Sequence, residues 1–136
     1  MIKYPYSKPE ITESDITSVV EVLKNGYLTQ GSKILEFEKL LQNNFKCNHA
    51  IVLNSGTAAL HLIYSILGIG PDAGILTSPI TFLSTANAAK MLNAPVVFAD
   101  VDPYTYNIDP TDIENKITKK TKAIIVVPLY GLPCEY

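Results

Sequence analysis

His49-Ala50-Ile51-Val52-Leu53, followed by Asn54-Ser55-Gly56-Thr57-Ala58-Ala59-Leu60-His61, is the stretch whose reading decides the fold. An apolar run that ends in a polar, glycine-containing turn predicts a buried strand over 49–53 handing over to a helix over 57–67. Ala58, Ala59, Leu60, Leu62, Ile63, Ile66 and Leu67 make that helix apolar nearly all round. Burial on most of its sides is therefore expected.

The junction has a chemical consequence. The first turn of a helix carries unpaired backbone N–H groups and a partial positive charge, and glycine lets an anion come close. Ser55 and Thr57 add hydroxyl groups at the same point. Read alone, Asn54-Ser55-Gly56-Thr57 is either a phosphate site or a helix start that Ser55 merely caps. It matches neither G-x-G-x-x-G nor G-x-x-x-x-G-K-[ST], so the nucleotide-fold fingerprints are missing.

Downstream, strand and helix signals alternate. Residues 68–72 read as a turn, 75–78 as a strand ending at Pro79, 82–91 as a helix and 95–99 as a strand. Asp109-Pro110 starts a short helix that carries 113–117, and 123–127 is a last buried strand. This order predicts an α/β fold with a mostly parallel sheet flanked by helices, the 57–67 helix packed against it. Ligands gather at the carboxyl ends of strands in open sheets. Thr81-Phe82 stands just past such an end, where Phe82 is either a core residue or an aromatic placed to stack on a planar ring.

Upstream the pattern is helical. Thr12 and Asp15 form a capping-box signature ahead of Ile16, Val19, Val20 and Leu23, and Asn25-Gly26 ends that helix. A second helix is expected from Ser32, with Ile34, Phe37, Leu40 and Leu41 on one face. The chain thus reads as one incomplete domain, a helical segment over 1–46 and an α/β portion over 47–136 that continues past Tyr136.

Composition narrows the function. Of 136 residues, 47% are apolar and 18% charged, which supports a soluble domain with a real core. A net charge of −2 argues against electrostatic binding of nucleic acid or a membrane surface. All eleven basic residues are lysines, and the cluster Lys119, Lys120 and Lys122 reads as a solvated turn. Cys47 and Cys134 lack the spacing of a disulfide framework or a metal site. Residues 1–8 lack the pattern of a secretory leader, and no apolar run approaches the roughly eighteen residues of a membrane span. A cytoplasmic protein is expected.

The order of motifs adds a further level. Ser55-Gly56-Thr57-Ala58-Ala59-Leu60-His61 precedes Thr77-Ser78-Pro79-Ile80-Thr81-Phe82 and Thr85-Ala86-Asn87-Ala88. Then come Val97-Phe98-Ala99-Asp100-Val101-Asp102-Pro103, Tyr106-Asn107-Ile108-Asp109-Pro110 and Thr121-Lys122-Ala123-Ile124-Ile125. Together with Leu28-Thr29-Gln30-Gly31 and Phe37-Glu38, this series resembles the DegT/DnrJ/StrS family of sugar aminotransferases. The opening Tyr4-Pro5-Tyr6-Ser7-Lys8-Pro9 and closing Gly131-Leu132-Pro133-Cys134 look most like one branch. That branch makes UDP-4-amino-4,6-dideoxy-N-acetyl-β-L-altrosamine, an intermediate of pseudaminic acid synthesis. Pro71-Asp72-Ala73-Gly74 departs from the family pattern in a surface turn.

The resemblance implies the N-terminal part of the large domain of a type I aminotransferase fold, with pyridoxal 5'-phosphate as cofactor and a homodimer as the working form. It implies that Gly56 and Thr57, with Ser55 beside them, contact the cofactor phosphate and that Phe82 stacks on the pyridine ring. Tyr6, Gly26, Tyr27, Leu28 and Thr29 would line the sugar-nucleotide side. It further implies that the lysine which binds the cofactor covalently, and the aspartate facing the pyridine nitrogen, lie beyond Tyr136. Residues 1–136 alone would then be inactive. The implied reaction moves an amino group, from L-glutamate, to a 4-keto-6-deoxy sugar nucleotide. Two other readings stand beside it: a sugar dehydratase of the same family with histidine in place of the lysine, and a non-catalytic phosphate-binding or regulatory module. His61, Asp100 and Asp102 are expected to serve packing and turns.

Overall fold

The structure, a computed structural model, describes residues 7–135. The chain divides into two compact units between Val52 and Leu53.

The first unit holds two helices. α1 (Glu13–Asn25) begins with the expected capping box: the Thr12 hydroxyl accepts from the Asp15 N–H, and the Thr12 N–H donates to the Asp15 carboxylate at 2.8 Å. The Thr12 N–H, and after it the Thr12 hydroxyl donating to Asp15 Oδ2 at 2.8 Å, hold the Asp15 carboxyl below its ordinary range. The helix stops at Gly26, whose N–H still reaches the Val22 carbonyl at 2.8 Å. α2 (Ser32–Phe45) starts after Gly31 and ends at Lys46 in the left-handed conformation, φ 52°. The apolar stripes of both helices are where the spacing put them, yet Val19, Leu23, Phe37 and Leu40 are exposed. Periodicity marks the face a helix can bury; it does not supply the surface that covers it.

The expected strand over 49–53 does not form. The segment has no ladder partner among the described residues, and Ile51 and Leu53 are exposed. The N–H of Val52 is instead taken by the Glu38 carboxylate of α2 at 3.0 Å. A strand is a property of a pair, and an apolar run alone cannot reveal whether its partner is present.

The second unit is the expected α/β layer. β1 (Gly74–Thr77), β2 (Val96–Phe98) and β3 (Thr121–Ile125) form a three-stranded parallel sheet in the order β2-β1-β3. β1 is central and buried throughout. Leu76 stands opposite Val97 and Ile124, and Thr77 opposite Phe98 and Ile125. The register shifts between Gly74 and Ile75, and a Cβ at Gly74 would come within 2.5 Å of the Pro95 carbonyl oxygen. Glycine is what lets the backbones approach there.

Side chains alternate across the sheet and sort into two cores. On one face Ile75 packs with Tyr64, Ile69, Ala88, Ala89 and Ala94, joined by Val96, Ala123 and Ile125. On the other, Leu76 packs with Ala99 and Ile108, joined by Val97, Ile113 and Val126. Small alanines on α4 (Ser84–Lys90) let α3 (Gly56–Ile66) pack closely against it. α5 (Pro110–Lys116) is capped by Asp109, whose carboxylate accepts from the Thr111 N–H at 2.8 Å, with Pro110 in the first turn.

The expectation that α3 is buried on most sides is overturned. Only Tyr64 is fully buried, while Leu62, Ile63, Ile66 and Leu67 are exposed. α3 leans on α4 and on the Ile75 core with one stripe, and its remaining apolar surface has no cover among the described residues.

Candidate functional site

The start of α3 is built as an anion site requires. Ser55 is the N-cap in extended conformation, and its hydroxyl oxygen accepts from the Ala58 N–H at 3.2 Å. Ser55 thus caps its helix. A hydroxyl that accepts keeps its own proton for another acceptor. The Ala59 N–H is spent on the Ser55 carbonyl at 3.1 Å. The N–H groups of Gly56 and Thr57, and the Thr57 hydroxyl, have no partner among the described residues. A Cβ built on Gly56 meets nothing within 4 Å, so the approach to these donors is open.

Phe82 belongs to the segment after β1. Its side chain is 77% exposed, which removes the core reading. The path from Thr77 to Ser84 is stiffened by four bonds. Thr77 donates its hydroxyl to the Ile125 carbonyl at 2.9 Å, and Ser78 accepts from the Ile80 N–H at 3.0 Å. Thr81 and Thr85 share a hydroxyl bond of 2.7 Å, and the Thr85 N–H reaches the Phe82 carbonyl at 3.0 Å.

What joins this segment to α3 is Tyr64. Its fully buried phenol donates to the Thr85 carbonyl at 3.0 Å. The bond fixes the beginning of α4, and with it the loop carrying Phe82, to the helix whose first turn carries Gly56 and Thr57. Helical spacing alone does not distinguish Tyr64 from its aliphatic neighbours on α3. A signal existed: a phenol inside an otherwise aliphatic helix must find an acceptor once buried.

The residues expected to line the sugar side lie in the first unit. Gly26 and Tyr27 border a hollow with Val22, Ser32 and Lys33, while Leu28 and Thr29 are exposed in the loop that follows. Tyr6 lies outside the described residues. Glu38 gains its role only in the fold, where its carboxylate accepts from the Val52 N–H, fourteen residues along the chain.

Other residues take structural roles. Asp102 accepts from the Thr105 and Tyr104 N–H groups, the Thr105 bond doing most to hold its carboxyl below the ordinary range. Asp100 accepts from the Val101 N–H at 2.8 Å. The Lys119-Lys120 turn is exposed, and Lys120 meets Asp72 at 3.3 Å. His61 is half-buried on α3. Among the described residues there is no cluster of metal-ligating side chains, and no helix is long and apolar enough to cross a membrane.

Comparison with known proteins gives consistent answers. The model of the DegT/DnrJ/EryC1/StrS aminotransferase family matches residues 9–136. The spore coat polysaccharide biosynthesis protein SpsC of Bacillus subtilis is 44% identical over 131 residues, covering 96% of this chain and 34% of that protein. Among solved structures, the PMP form of Spr1654 from Streptococcus pneumoniae, assigned as a sugar aminotransferase, superposes with a TM-score of 0.92. It is 36% identical and covers 97% of this chain and 33% of that one. Helicobacter pylori PseC, an aminotransferase of pseudaminic acid biosynthesis, superposes with a TM-score of 0.86 at 35% identity, over 97% of this chain and 36% of its own. The chain spans about a third of the length of the curated relatives it matches.

Proposed function

The chain belongs to the DegT/DnrJ/EryC1/StrS aminotransferase family, and from that premise we propose that the whole protein transfers an amino group to a keto sugar nucleotide with pyridoxal phosphate as cofactor. The observation that carries the reading is the open start of α3, where unspent N–H groups of Gly56 and Thr57 face an approach with no Cβ in the way. A monoanionic or dianionic phosphate fits those donors in both charge and size. PLP and PMP forms of Spr1654 support the choice of cofactor.

Each residue then has a stated task. Gly56 and Thr57 give backbone N–H bonds to the phosphate, Thr57 adds its hydroxyl, and Ser55 offers the proton that its capping bond leaves over. Phe82 covers one face of the pyridine ring. When bound, the cofactor supplies the electron sink that lets an amino group pass from donor to acceptor. Gly26, Tyr27, Leu28 and Thr29, with Tyr6, are assigned to the sugar nucleotide. We assign L-glutamate as donor, a homodimer as the working form and the cytoplasm as its place. The 4-keto-6-deoxy-N-acetyl-altrosamine type is the assigned acceptor, a choice supported by the likeness to PseC.

Incubating the whole protein with that UDP-4-keto sugar, glutamate and pyridoxal phosphate should yield a 4-amino sugar, detected by NMR. Loss of a sugar hydroxyl without nitrogen incorporation would instead mark a dehydratase, and no turnover with any keto sugar would mark a non-catalytic module.

Two variants test the cofactor contacts. Thr57→Val keeps the shape and removes one charge-assisted bond, so cofactor affinity should fall by roughly 10- to 150-fold (about 1.5–3 kcal/mol). Phe82→Ala removes an exposed ring, so the fold should hold while cofactor affinity falls by roughly 5- to 150-fold (about 1–3 kcal/mol, by analogy with base stacking on aromatic side chains). Titrating the apo protein with pyridoxal phosphate measures both, and unchanged affinity in either would remove that residue from the site.

A further inference from the structure

The edge of the sheet that carries Phe82 carries a second exposed aromatic. Thr77 of β1 and Ile125 of β3 are paired in register, and Phe82 and Tyr130 follow them at equal distances along the chain. Tyr130 is 86% exposed, as Phe82 is 77% exposed. It also sits at φ 51° and ψ 25°, a left-handed conformation that a bulky non-glycine residue seldom adopts unless its surroundings hold it there.

The holding group is Asn107. Its side chain is buried, at 5% exposure, and three bonds go to the turn around Tyr130. The Asn107 Oδ1 accepts from the Leu129 N–H at 3.0 Å, and its Nδ2 donates to the carbonyls of Leu132 at 3.0 Å and Pro133 at 3.1 Å. Asn107 follows the carboxyl end of β2, so it ties the segment after one outer strand to the segment after the other. A buried amide with both donors used on a single turn fixes that turn's shape, and the turn bears an aromatic ring in an uncommon backbone state.

We propose that Tyr130 is a further aromatic residue of the cofactor site, and that Asn107 is the positioning residue that holds it at the carboxyl edge of the sheet. This assignment rests on the pyridoxal-phosphate reading of the site. Phe82 and Tyr130 each stand five residues past paired residues of adjacent parallel strands, so both follow the carboxyl edge of the sheet, where ligands collect in open sheets.

The test uses the apo form of the whole protein, titrated with pyridoxal phosphate and followed by absorbance, with thermal unfolding recorded in parallel. Tyr130→Ala should lower cofactor affinity by roughly 5- to 150-fold, as expected for loss of an aromatic contact, with little change in the unfolding midpoint. Tyr130→Phe separates ring from phenol: affinity near the parent's assigns the contact to the ring, and a loss equal to that of Tyr130→Ala assigns it to the hydroxyl. Asn107→Ala should weaken cofactor binding through Tyr130, so the double variant should bind no more weakly than Tyr130→Ala alone. If Asn107→Ala fails to fold, Tyr130→Ala still decides the matter, because its side chain is exposed. Weakened binding in Phe82→Ala and Thr57→Val with parent-like binding in Tyr130→Ala would overturn this proposal and leave the cofactor reading standing. Parent-like binding in all of these variants would sink both.

Discussion

Tyr64→Ala should destabilise the protein by about 3–5 kcal/mol, the usual range for emptying a fully buried aromatic site. Tyr64 is 0% exposed and stands in the core that joins α3, α4 and β1. Tyr64→Phe is the sharper comparison. It keeps the ring and strips the Thr85 carbonyl of its bond, which should cost about 1–3 kcal/mol. Urea unfolding of the two variants separates packing from hydrogen bonding; parent-like stability in Tyr64→Phe would mean that the phenol does not bind α4. Burial also pushes the Tyr64 phenol up from its ordinary value. The folded state therefore keeps its proton where the unfolded chain loses it. The resulting stability is complete below the ordinary tyrosine range and is lost as pH rises through the raised value.

Gly56→Asp should have opposite effects on fold and function. A carboxylate in the first turn of α3 interacts favourably with the helix dipole, by about 0.3–1 kcal/mol, and open space receives it. The unfolding midpoint should therefore hold or rise. The same charge faces the proposed phosphate, and two like charges about 4 Å apart near a protein surface repel by about 4 kcal/mol. Affinity for pyridoxal phosphate should then fall by about 100- to 1,000-fold. Gly56→Ala serves as the uncharged control and should lose far less. Parent-like affinity in Gly56→Asp would show that the anion binds elsewhere.

The two variants bear on different links. Tyr64 is buried and holds together the elements that present the site, whereas Gly56 is exposed and adds nothing to the core. Only the second effect should vanish when cofactor is absent from the assay. That contrast separates a damaged scaffold from a damaged binding site.

Much of this was legible in the residues. The capping box at Thr12 and Asp15, the stop at Gly26, the Asp109-Pro110 start and the alternation that makes a parallel sheet are all local. Each depends on neighbours within a turn or two, so short stretches of sequence determine them. The helix start is as local: Ser55, Gly56 and Thr57 are consecutive, and helix geometry alone leaves the N–H groups of Gly56 and Thr57 unspent. The order of motifs was enough to point to the family.

Tertiary structure decided whatever depends on a distant partner. The run at 49–53 has the residues of a buried strand, but Glu38 takes its Val52 N–H and no neighbouring strand is present among the described residues. The apolar faces of α1, α2 and α3 were readable, and whether they are covered was not. Tyr64 meeting Thr85, and Asn107 gripping the turn around Tyr130, join residues far apart in the chain. Sequence determines which groups need a partner, because chemistry and periodicity are local. Which partner satisfies them depends on how strands pair and helices pack, and that is settled only when the chain is folded.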